Sequence, residues 1–276
     1  MWSMNFKRLK NKIRNFLIIL IYFTGLPYLK FLVNKYKGNP LIRVICWHRI
    51  ESVERFEKKI RFLMNRFNIV SIEDFKKGEK LDIYKINLII SFDDGYDDWI
   101  KNIVPVLRKY KIPALFFVSG GPVNEEGSQG EKPPSFSNIQ GLTESDVVQL
   151  ASVEHFVLGG HGLHHKDQSN LRENEFEHEV LENKKILETL TGYEVQYFAF
   201  PFGHRENFSE EIFRYYRYVF SMIPGFNRSI FPGKIIHRDS IDIYFSNLLF
   251  KSWLYGSYDW YWKIKNHGVL AGEKSA

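Results

Sequence analysis

Short apolar segments alternate with amphipathic segments along most of this chain. Segments rich in β-branched and aromatic residues, bounded by polar or glycine-containing stretches, are typical of buried strands. Residues 42–48, for example, read Ile-Arg-Val-Ile-Cys-Trp-His. The segments that we predict as strands are 42–48, 69–72, 87–92, 113–118, 156–158, 197–200, 218–220 and 235–237.

Helical periodicity occupies most of the segments between these strands. Phe56, Ile60 and Leu63 are three or four positions apart, which is the spacing of one face of an α-helix. Thr143 and Asp146 form a variant of the capping box that opens another helix. The segments that we predict as helices are 53–67, 97–110, a helix from 143 onwards, 173–191 and 208–217.

The order of these elements predicts the fold class. Strands that alternate with helices are typical of a parallel sheet with helical crossovers. Too many strands follow residue 40 for two separate small domains, so a barrel-like α/β fold is the economical solution. We therefore predict an α/β fold of the (β/α)-barrel type, with 41–276 as one catalytic domain and 1–40 as a separate N-terminal segment.

The N-terminal segment contains an apolar stretch with basic residues on both sides. Its uncharged run covers 16–29, which is shorter than the roughly 20 residues that a helix needs to cross a bilayer. Pro27 and Lys30 would interrupt a longer helix, and no small-residue cleavage site follows. Three interpretations stay open: an interfacial or re-entrant membrane anchor, a signal anchor, and a helix packed on the domain itself.

The charge distribution favours a membrane surface as the partner of this segment. The chain has a net charge of +6, but residues 1–40 hold eight Lys and Arg and no acid, so the remainder carries a formal charge of −2. A nucleic-acid binder usually carries its basic patch on the folded domain, so nucleic acid is not a predicted partner. We predict that 7–33 contacts a membrane, with the catalytic body on the cytoplasmic rather than the extracytoplasmic side.

Composition limits the class of protein and the cysteine chemistry that is possible. Hydrophobic residues make up 44% and charged residues 25% of the chain, which is ordinary for a globular protein and excludes disorder or a fibrous repeat. Cys46 is the single cysteine, so neither an intramolecular disulfide nor a cysteine zinc cluster can form.

Candidate chemistry follows the predicted strands, at their carboxyl ends. Asp93 and Asp94 follow the strand at 87–92, and Gly95 allows the chain to turn so that both carboxylates face one site. His161 and His165 follow the strand at 156–158 and would share one face of a helical turn, with His164 as the competing ligand. Two imidazoles and a carboxylate suit zinc or a similar divalent ion.

The motifs together resemble those of a known family. Ser-Phe-Asp93-Asp94-Gly-Tyr, His161-Gly-Leu-His-His165 and Phe-Ala-Phe-Pro201-Phe-Gly203 occur in this order, after an opening Cys-Trp-His48-Arg. This set is similar to the motifs of the polysaccharide deacetylase family, the NodB-homology domain of carbohydrate esterase family 4. The resemblance covers roughly residues 42–245 and implies a distorted (β/α) barrel.

The resemblance also implies a role for each matching residue. Asp93 would be the general base, and Asp94, His161 and His165 would hold one divalent metal, with zinc as the first choice and nickel or cobalt as alternatives. The backbone N–H of Tyr96 would donate to the oxyanion. The remaining assignments are His237 as the acid that protonates the leaving amine, and Pro201 and Gly203 as parts of the groove wall.

Two departures from the family pattern concern the support of the site. Gly162 stands where the family usually has Ser or Thr, and Ala199 stands where many members have the arginine that pairs with the catalytic aspartate. We predict that Arg238 replaces this arginine. His48 could approach the site from the first strand, although a structural role is the simpler interpretation.

The predicted function is removal of N-acetyl groups from a sugar of a surface polysaccharide or lipid-linked glycan. Amide hydrolysis needs an activated water, an electrophile at the carbonyl oxygen and an acid for the amine, and the candidate residues supply all three. The same site could remove a formyl group or an O-acetyl group. A non-catalytic glycan-binding protein with this fold is the third alternative.

Overall fold

A computed structural model describes residues 2–120, 140–203, 210–229 and 231–266, without the side chains of 2–7 and Asn170. Most of the glycine- and proline-containing loop predicted over 119–141 lies outside the described residues. The strands are β1 (Leu41–Trp47), β2 (Asn68–Ile69), β3 (Ile86–Asp94), β4 (Ala114–Val118), β5 (Phe156–Gly160), β6 (Tyr197–Ala199), β7 (Tyr218–Phe220), β8 (Ile235–Ile236) and β9 (Asp239–Ser240).

The helices lie mainly between the strands, as the alternating pattern predicts. They are α1 (Trp2–Phe23), α2 (Leu26–Tyr36), α3 (Val53–Arg66), α4 (Ile72–Lys77), α5 (Val104–Tyr110), α6 (Glu144–Ala151), α7 (Glu173–Thr191), α8 (Asn247–Leu254) and α9 (Ser257–Lys265). Ser71 and Thr143 begin α4 and α6 with complete capping boxes, so short polar side chains satisfy backbone N–H groups that the helix leaves unpaired.

All strands belong to one parallel sheet that curls into a distorted barrel. Its order is β8-β7-β6-β5-β4-β3-β1-β9, with β2 paired beside the start of β3. Only His237 and Arg238 separate β8, at one edge, from β9, at the other. A single bent segment, 235–240, therefore joins the two edges of the sheet. The predicted α/β fold of the (β/α)-barrel type is confirmed.

The strands have apolar side chains on both faces, as strands of a parallel sheet covered by helices do. The barrel interior holds one buried cluster, which includes Ile42, Val44, Ile89, Leu115, Phe117, Phe220 and Ile236. A second cluster lies between the outer face and the helices, and it includes Ile45, Leu88, Phe92, Phe116, Phe56 and Phe176. Because side chains alternate along a strand, Ser91 and Asp93 share the interior face with Ile89.

Several predicted elements differ from the observed ones. The described part of 208–217 is a short 3₁₀ turn, Glu211–Arg214, instead of an α-helix. The helix predicted over 97–110 begins with a π-helical turn, Trp99–Ile103. The strand predicted over 69–72 ends at Ile69 because Ser71 begins α4. Helices α8 and α9 lie in an aromatic-rich region where no helix was predicted.

The N-terminal segment forms two helices that contact the domain. Helix α1 contacts α8 and α9, and Gly25, with a φ of 75°, ends α1 before α2 begins. No single helix of the described residues is long and apolar enough to cross a membrane, whereas α1 from Arg8 and α2 meet that criterion only as a pair bent by 48°. One side of the N-terminal segment is therefore packed on the domain, as in the third of the three interpretations given for it.

A buried ionic cluster connects the barrel to its C-terminal helices. The Arg43 guanidinium binds Asp239 Oδ2 at 2.5 Å and both carboxylate oxygens of Asp259 at 2.8 and 3.1 Å. The ring of Phe226 lies 4.0 Å from the guanidinium carbon. Burial raises the pKa of Asp239, and the charge of Asp259 raises it further, against the opposing effect of Arg43. One cation thus stabilises two buried acids from β9 and α9.

Replacing Arg43 with Met is expected to lower the free energy of unfolding by about 3–5 kcal/mol, because two buried carboxylates lose their partner. Urea denaturation measures this change. The control is Arg49→Met, whose exposed ion pair with Glu51 spans 3.4 Å and should contribute at most about 1 kcal/mol. Equal losses in the two variants would contradict the role assigned to Arg43.

Candidate active site

The predicted metal ligands converge at the carboxyl ends of two strands. Asp94 is the last residue of β3, and His161 follows β5 directly. Nε2 of His161 lies 3.2 Å from Asp94 Oδ1, and Nε2 of His165 lies 3.0 Å from the same oxygen. All three side chains are buried. The carboxyl ends of barrel strands are where catalytic groups usually meet.

The geometry of these three residues fits a metal ion. Asp94 Oδ1 is buried without a hydrogen-bond partner among the described residues, although two ring nitrogens lie close to it. Burial opposes ionisation of Asp94, but the two imidazoles outweigh it and hold the pKa of the carboxyl well below its usual value. One ionised oxygen and two nitrogens that approach a common point form a ligand set suited to zinc, nickel or cobalt.

Neighbouring groups orient the two imidazoles. His161 Nδ1 lies 2.7 Å from the carbonyl oxygen of Ala199, which leaves Nε2 directed at Asp94. A ligand imidazole usually forms such a second hydrogen bond through its other nitrogen. The ring of Phe202 meets the ring of His165 edge-on, with centroids 4.7 Å apart. Phe202 therefore covers one side of the candidate metal site.

The histidine motif forms a loop, and the helical turn predicted for it is wrong. Gly162 has a φ of 77° and His165 a φ of 52°, so the backbone twice enters the left-handed region that an α-helix avoids. This path still brings His161 and His165 together. His164 turns elsewhere: its Nδ1 lies 2.8 Å from Glu179 Oε1, and its N–H donates to Glu179 Oε2 at 2.7 Å.

Two polar residues of α7 support this loop and were missed by the sequence analysis. Glu179 and Asn183 lie four positions apart on α7, and both are buried. The Asn183 side chain accepts from the His161 N–H at 2.9 Å and donates to the Val118 carbonyl at 3.0 Å. These contacts hold the loop although Gly162 lacks the hydroxyl usual in the family. The sequence signal that could have revealed them is the presence of two polar residues, Glu179 and Asn183, on the side of α7 that carries its buried apolar residues.

Asp93 faces the barrel interior and pairs with Arg238. The two guanidinium nitrogens of Arg238 bind the two carboxylate oxygens of Asp93 at 2.7 and 2.8 Å, in a fully buried pair. Burial would raise the pKa of Asp93, but the charge of Arg238 outweighs it and lowers that pKa. Asp93 is therefore ionised at neutral pH and able to accept a proton. Arg238 occupies the position predicted for it.

Removing this charge should move the pH dependence of the reaction. In an Arg238→Met variant the pKa of Asp93 rises, because burial is no longer opposed by the guanidinium. A general base must be ionised to act, so the acid limb of the kcat/KM profile is expected to shift to higher pH. A pH–rate profile measures this shift. An unchanged acid limb would contradict the pairing role of Arg238.

His48 lies beside the same carboxylate. One ring nitrogen of His48, Sγ of Cys46 and one oxygen of Asp93 lie within 4.8 Å of one another. Ile50 N–H donates to Asp98 at 2.7 Å, and Trp99 Nε1 donates to the His48 carbonyl at 3.0 Å. These bonds fix the loop after β1, and the imidazole of His48 lies beside Asp93.

The position of His237 does not favour its predicted role as the general acid. Its neighbours Ile236 and Arg238 both lie in the barrel interior, Arg238 against the rings of Phe117 and Phe220. Because Ile236 and Arg238 point into the barrel, we infer that the His237 ring lies on the other side of this segment from Asp93. The backbone of His237 exchanges two hydrogen bonds of 3.0 Å with the Asn227 side chain.

Tyr96, Pro201 and Gly203 line the same end of the barrel. The N–H of Asp97 donates to Gln140 at 3.1 Å, and the N–H of Leu142 donates to Gly95 at 2.9 Å. These bonds fix the backbone on both sides of Tyr96. Burial and then the charge of Asp94 raise the pKa of the Tyr96 hydroxyl. Pro201 and Gly203 form a 3₁₀ turn around Phe202, whose φ of 57° directs its ring at His165.

Comparison with known proteins identifies the family of this chain. A family model described as polysaccharide deacetylase matches residues 84–220, which include Asp93, Asp94, His161 and His165. A peptidoglycan-N-acetylglucosamine deacetylase of Bacillus cereus is 27% identical over 120 residues, or 43% of this chain and 37% of that protein. A poly-beta-1,6-N-acetyl-D-glucosamine N-deacetylase of Staphylococcus aureus is 28% identical over 126 residues, or 43% of this chain and 40% of that protein.

Solved structures share the fold. IcaB from Ammonifex degensii aligns with a TM-score of 0.60 at 21% identity, over 80% of this chain and 97% of that chain. A polysaccharide deacetylase from Bacillus cereus aligns with a TM-score of 0.62 at 21% identity, over 78% of this chain and 69% of that chain. The sequence matches cover about two fifths of the curated relatives' own length. With the motifs and the barrel in place, the chain belongs to the polysaccharide deacetylase family.

Proposed function

We propose that this chain is a metal-dependent hydrolase that removes N-acetyl groups from a sugar of a surface polysaccharide or a lipid-linked glycan. The observation that carries the proposal is the ligand set of Asp94, His161 and His165 beside an ionised carboxylate, Asp93. The names of the two curated relatives, a peptidoglycan-N-acetylglucosamine deacetylase and a poly-beta-1,6-N-acetyl-D-glucosamine N-deacetylase, support the choice of bond and of substrate class.

Asp94, His161 and His165 would hold the metal, and we propose zinc, with nickel or cobalt as alternatives. Zinc commonly binds imidazole nitrogens together with a carboxylate oxygen and keeps an open position at catalytic sites. When bound, the ion polarises the acetamide carbonyl and stabilises the negative charge that develops on its oxygen.

Asp93 accepts the proton of the attacking water in this proposal. The water oxygen adds to the carbonyl carbon, and the proton moves to the carboxylate that Arg238 holds ionised. The backbone N–H of Tyr96 stays the predicted protein donor to the oxyanion.

Collapse of the tetrahedral intermediate breaks the C–N bond, and the leaving amine needs a proton. We propose that His48 donates this proton, since its ring lies within 4.8 Å of Asp93 and its loop is fixed by Asp98 and Trp99. The products are acetate and a free amino sugar.

Replacing His48 with Gln is therefore expected to lower kcat for an N-acetylated sugar by about 10²–10⁴-fold, the usual contribution of general acid catalysis. The loss should be much smaller for an aryl acetate, because a phenolate leaves without protonation. His237→Gln is the matched control and should retain most of the wild-type rate. Equal losses for amide and aryl ester in His48→Gln would contradict the role of His48.

Product analysis tests the proposed function directly. Zinc-loaded protein is incubated with N-acetylated, N-formylated and O-acetylated glucosamine oligomers, and released acetate or formate and free amines are quantified. Acetate and free amine from the N-acetylated oligomer support the proposal. Preferred release of formate, or of acetate from the O-acetylated oligomer, would favour the two alternative hydrolases. Binding without turnover would favour a glycan-binding protein.

A further inference from the structure

Helices α1 and α2 have apolar side chains on two opposite sides. On the inner side, Ile18 and Phe31 are buried against the domain, and α1 contacts α8 and α9. A helix on the surface of a water-soluble domain normally carries polar residues on its other side, whereas a helix that is apolar all round is usually covered.

The outer side of both helices carries many exposed apolar side chains. Of the 23 exposed large hydrophobic side chains in the described part of the chain, 12 lie within residues 9–36. On α1 they follow the spacing of one helical stripe. Eleven of these twelve side chains form the outer surface, namely Leu9, Ile13, Phe16, Leu17, Leu20, Phe23, Leu26, Leu29, Leu32, Val33 and Tyr36, whereas the ring of Tyr28 lies against Tyr255.

Charge narrows the choice of partner for the outer surface. The segment that carries it has eight Lys and Arg residues and no Asp or Glu over residues 1–40. Lys10 and Lys12 lie at one end and Lys35 and Lys37 at the other, and all four are exposed. An apolar surface with cations at both ends complements the acyl region and the anionic headgroups of a bilayer.

We propose that the outer surface docks on an anionic lipid bilayer, with α1 and α2 lying in the membrane interface while their inner side stays packed on the domain. The 48° bend between the helices and the contacts of α1 with α8 and α9 favour a surface position over a crossing. Apolar burial provides adhesion, and the basic residues provide preference for anionic lipid.

Helix α1 borders the cleft that leads to the active site. Arg14 of α1 borders a cleft of about 370 Å³ whose other walls include His48, Arg49 and Trp253. His48 is also the residue beside Asp93. Resting on the proposed function, this arrangement gives a glycan held at a membrane a short path to the catalytic groups. Vesicle binding can be measured without catalysis. A protein that fails to bind vesicles is therefore distinguishable from one that lacks deacetylase activity.

Vesicle co-sedimentation of the full chain tests the docking. The probes are vesicles of phosphatidylcholine alone and of equal parts phosphatidylcholine and phosphatidylglycerol. We expect at least about tenfold stronger partitioning onto the anionic vesicles. Raising the ionic strength from about 0.1 M to about 1 M, which shortens the Debye length from about 10 Å to about 3 Å, should weaken it.

Two double variants distinguish vesicle binding through the outer surface from non-specific hydrophobic binding. Phe16→Glu/Leu20→Glu replaces side chains of the outer surface that are 60% and 47% exposed, and it should lower partitioning at least tenfold, because roughly half of each side chain would leave water on docking. Val148→Glu/Tyr193→Glu replaces side chains that are 47% and 39% exposed elsewhere on the domain, and it should bind like the wild type. Circular dichroism melting confirms that both variants fold.

Several outcomes would overturn the proposal. One is equal binding of the two double variants, and another is equal binding to neutral and anionic vesicles. Resistance of bound protein to alkaline extraction would indicate a spanning segment. A dimer in light scattering that Phe16→Glu/Leu20→Glu dissociates, without vesicle binding by the wild type, would show that a second copy covers the outer surface.

Discussion

The double replacement His161→Ala/His165→Ala is expected to remove a stoichiometric divalent ion from the purified protein. The variant keeps only Asp94 of the three converging ligands, and a single carboxylate does not retain a transition metal. Deacetylation should fall about a thousandfold or more, because metal stabilisation of a developing oxyanion contributes several kcal/mol. Metal content by mass spectrometry and acetate release measure the two effects separately.

His164→Ala is the matched control for this experiment. His164 is adjacent to His165 but binds Glu179 instead of the ligand cluster, so the variant should retain the metal. It removes one hydrogen bond from the loop, and its thermal midpoint should fall only slightly.

A wild-type protein without metal after zinc, nickel and cobalt reloading would contradict the assigned site. In that case the glycan-binding alternative would become the preferred function. Loss of metal in His164→Ala together with retention in the double variant would mean that the ligand set is assigned to the wrong histidines.

Replacement of Asp93 with Asn is expected to lower kcat/KM by about 10²–10⁴-fold while metal binding persists. The amide keeps the shape of the carboxylate but cannot accept the proton of the attacking water, and general base catalysis contributes about this factor. The metal should stay because Asp94, rather than Asp93, lies within 3.2 Å of both histidine nitrogens.

The same replacement should also destabilise the fold, which requires a second variant. Asp93→Asn leaves Arg238 buried beside a neutral group, and breaking a buried ion pair lowers the free energy of unfolding by about 3–5 kcal/mol. In Asp93→Asn/Arg238→Met both charges are absent, so stability should return toward the wild-type value. Activity should stay low. Recovery of activity together with stability would show that Asp93 is structural and not the base.

The polar residues at the carboxyl ends of the strands could be predicted, because their positions depend only on the order of residues along the chain. A buried strand followed by Asp93-Asp94, and another followed by His161, place these residues at one edge of any parallel sheet. The structure joins Asp94, His161 and His165, as predicted. The helical turn expected for the histidines was wrong because Gly162 and His165 adopt positive φ values, and residue spacing alone does not report backbone dihedrals.

Which of His48 and His237 lies beside Asp93 could not be predicted from the sequence, because it depends on side-chain direction. Both histidines lie at the ends of predicted strands and both belong to motifs similar to those of the family. In the barrel, segment 235–240 closes the sheet with Ile236 and Arg238 inside, which turns His237 away. The loop of His48 is instead fixed by residues about 50 positions later in the chain.

The sequence by itself determined the α/β class, the family, the identity of the predicted metal ligands and a basic, apolar N-terminal segment, because periodicity, motif order and charge are local properties of the chain. The tertiary structure decided what depends on contacts between distant residues. Arg238 meets Asp93 across 145 positions, and Arg43 meets Asp259 across 216. Sheet closure and register bring such partners together, and these follow from the packing of the whole barrel rather than from any single segment.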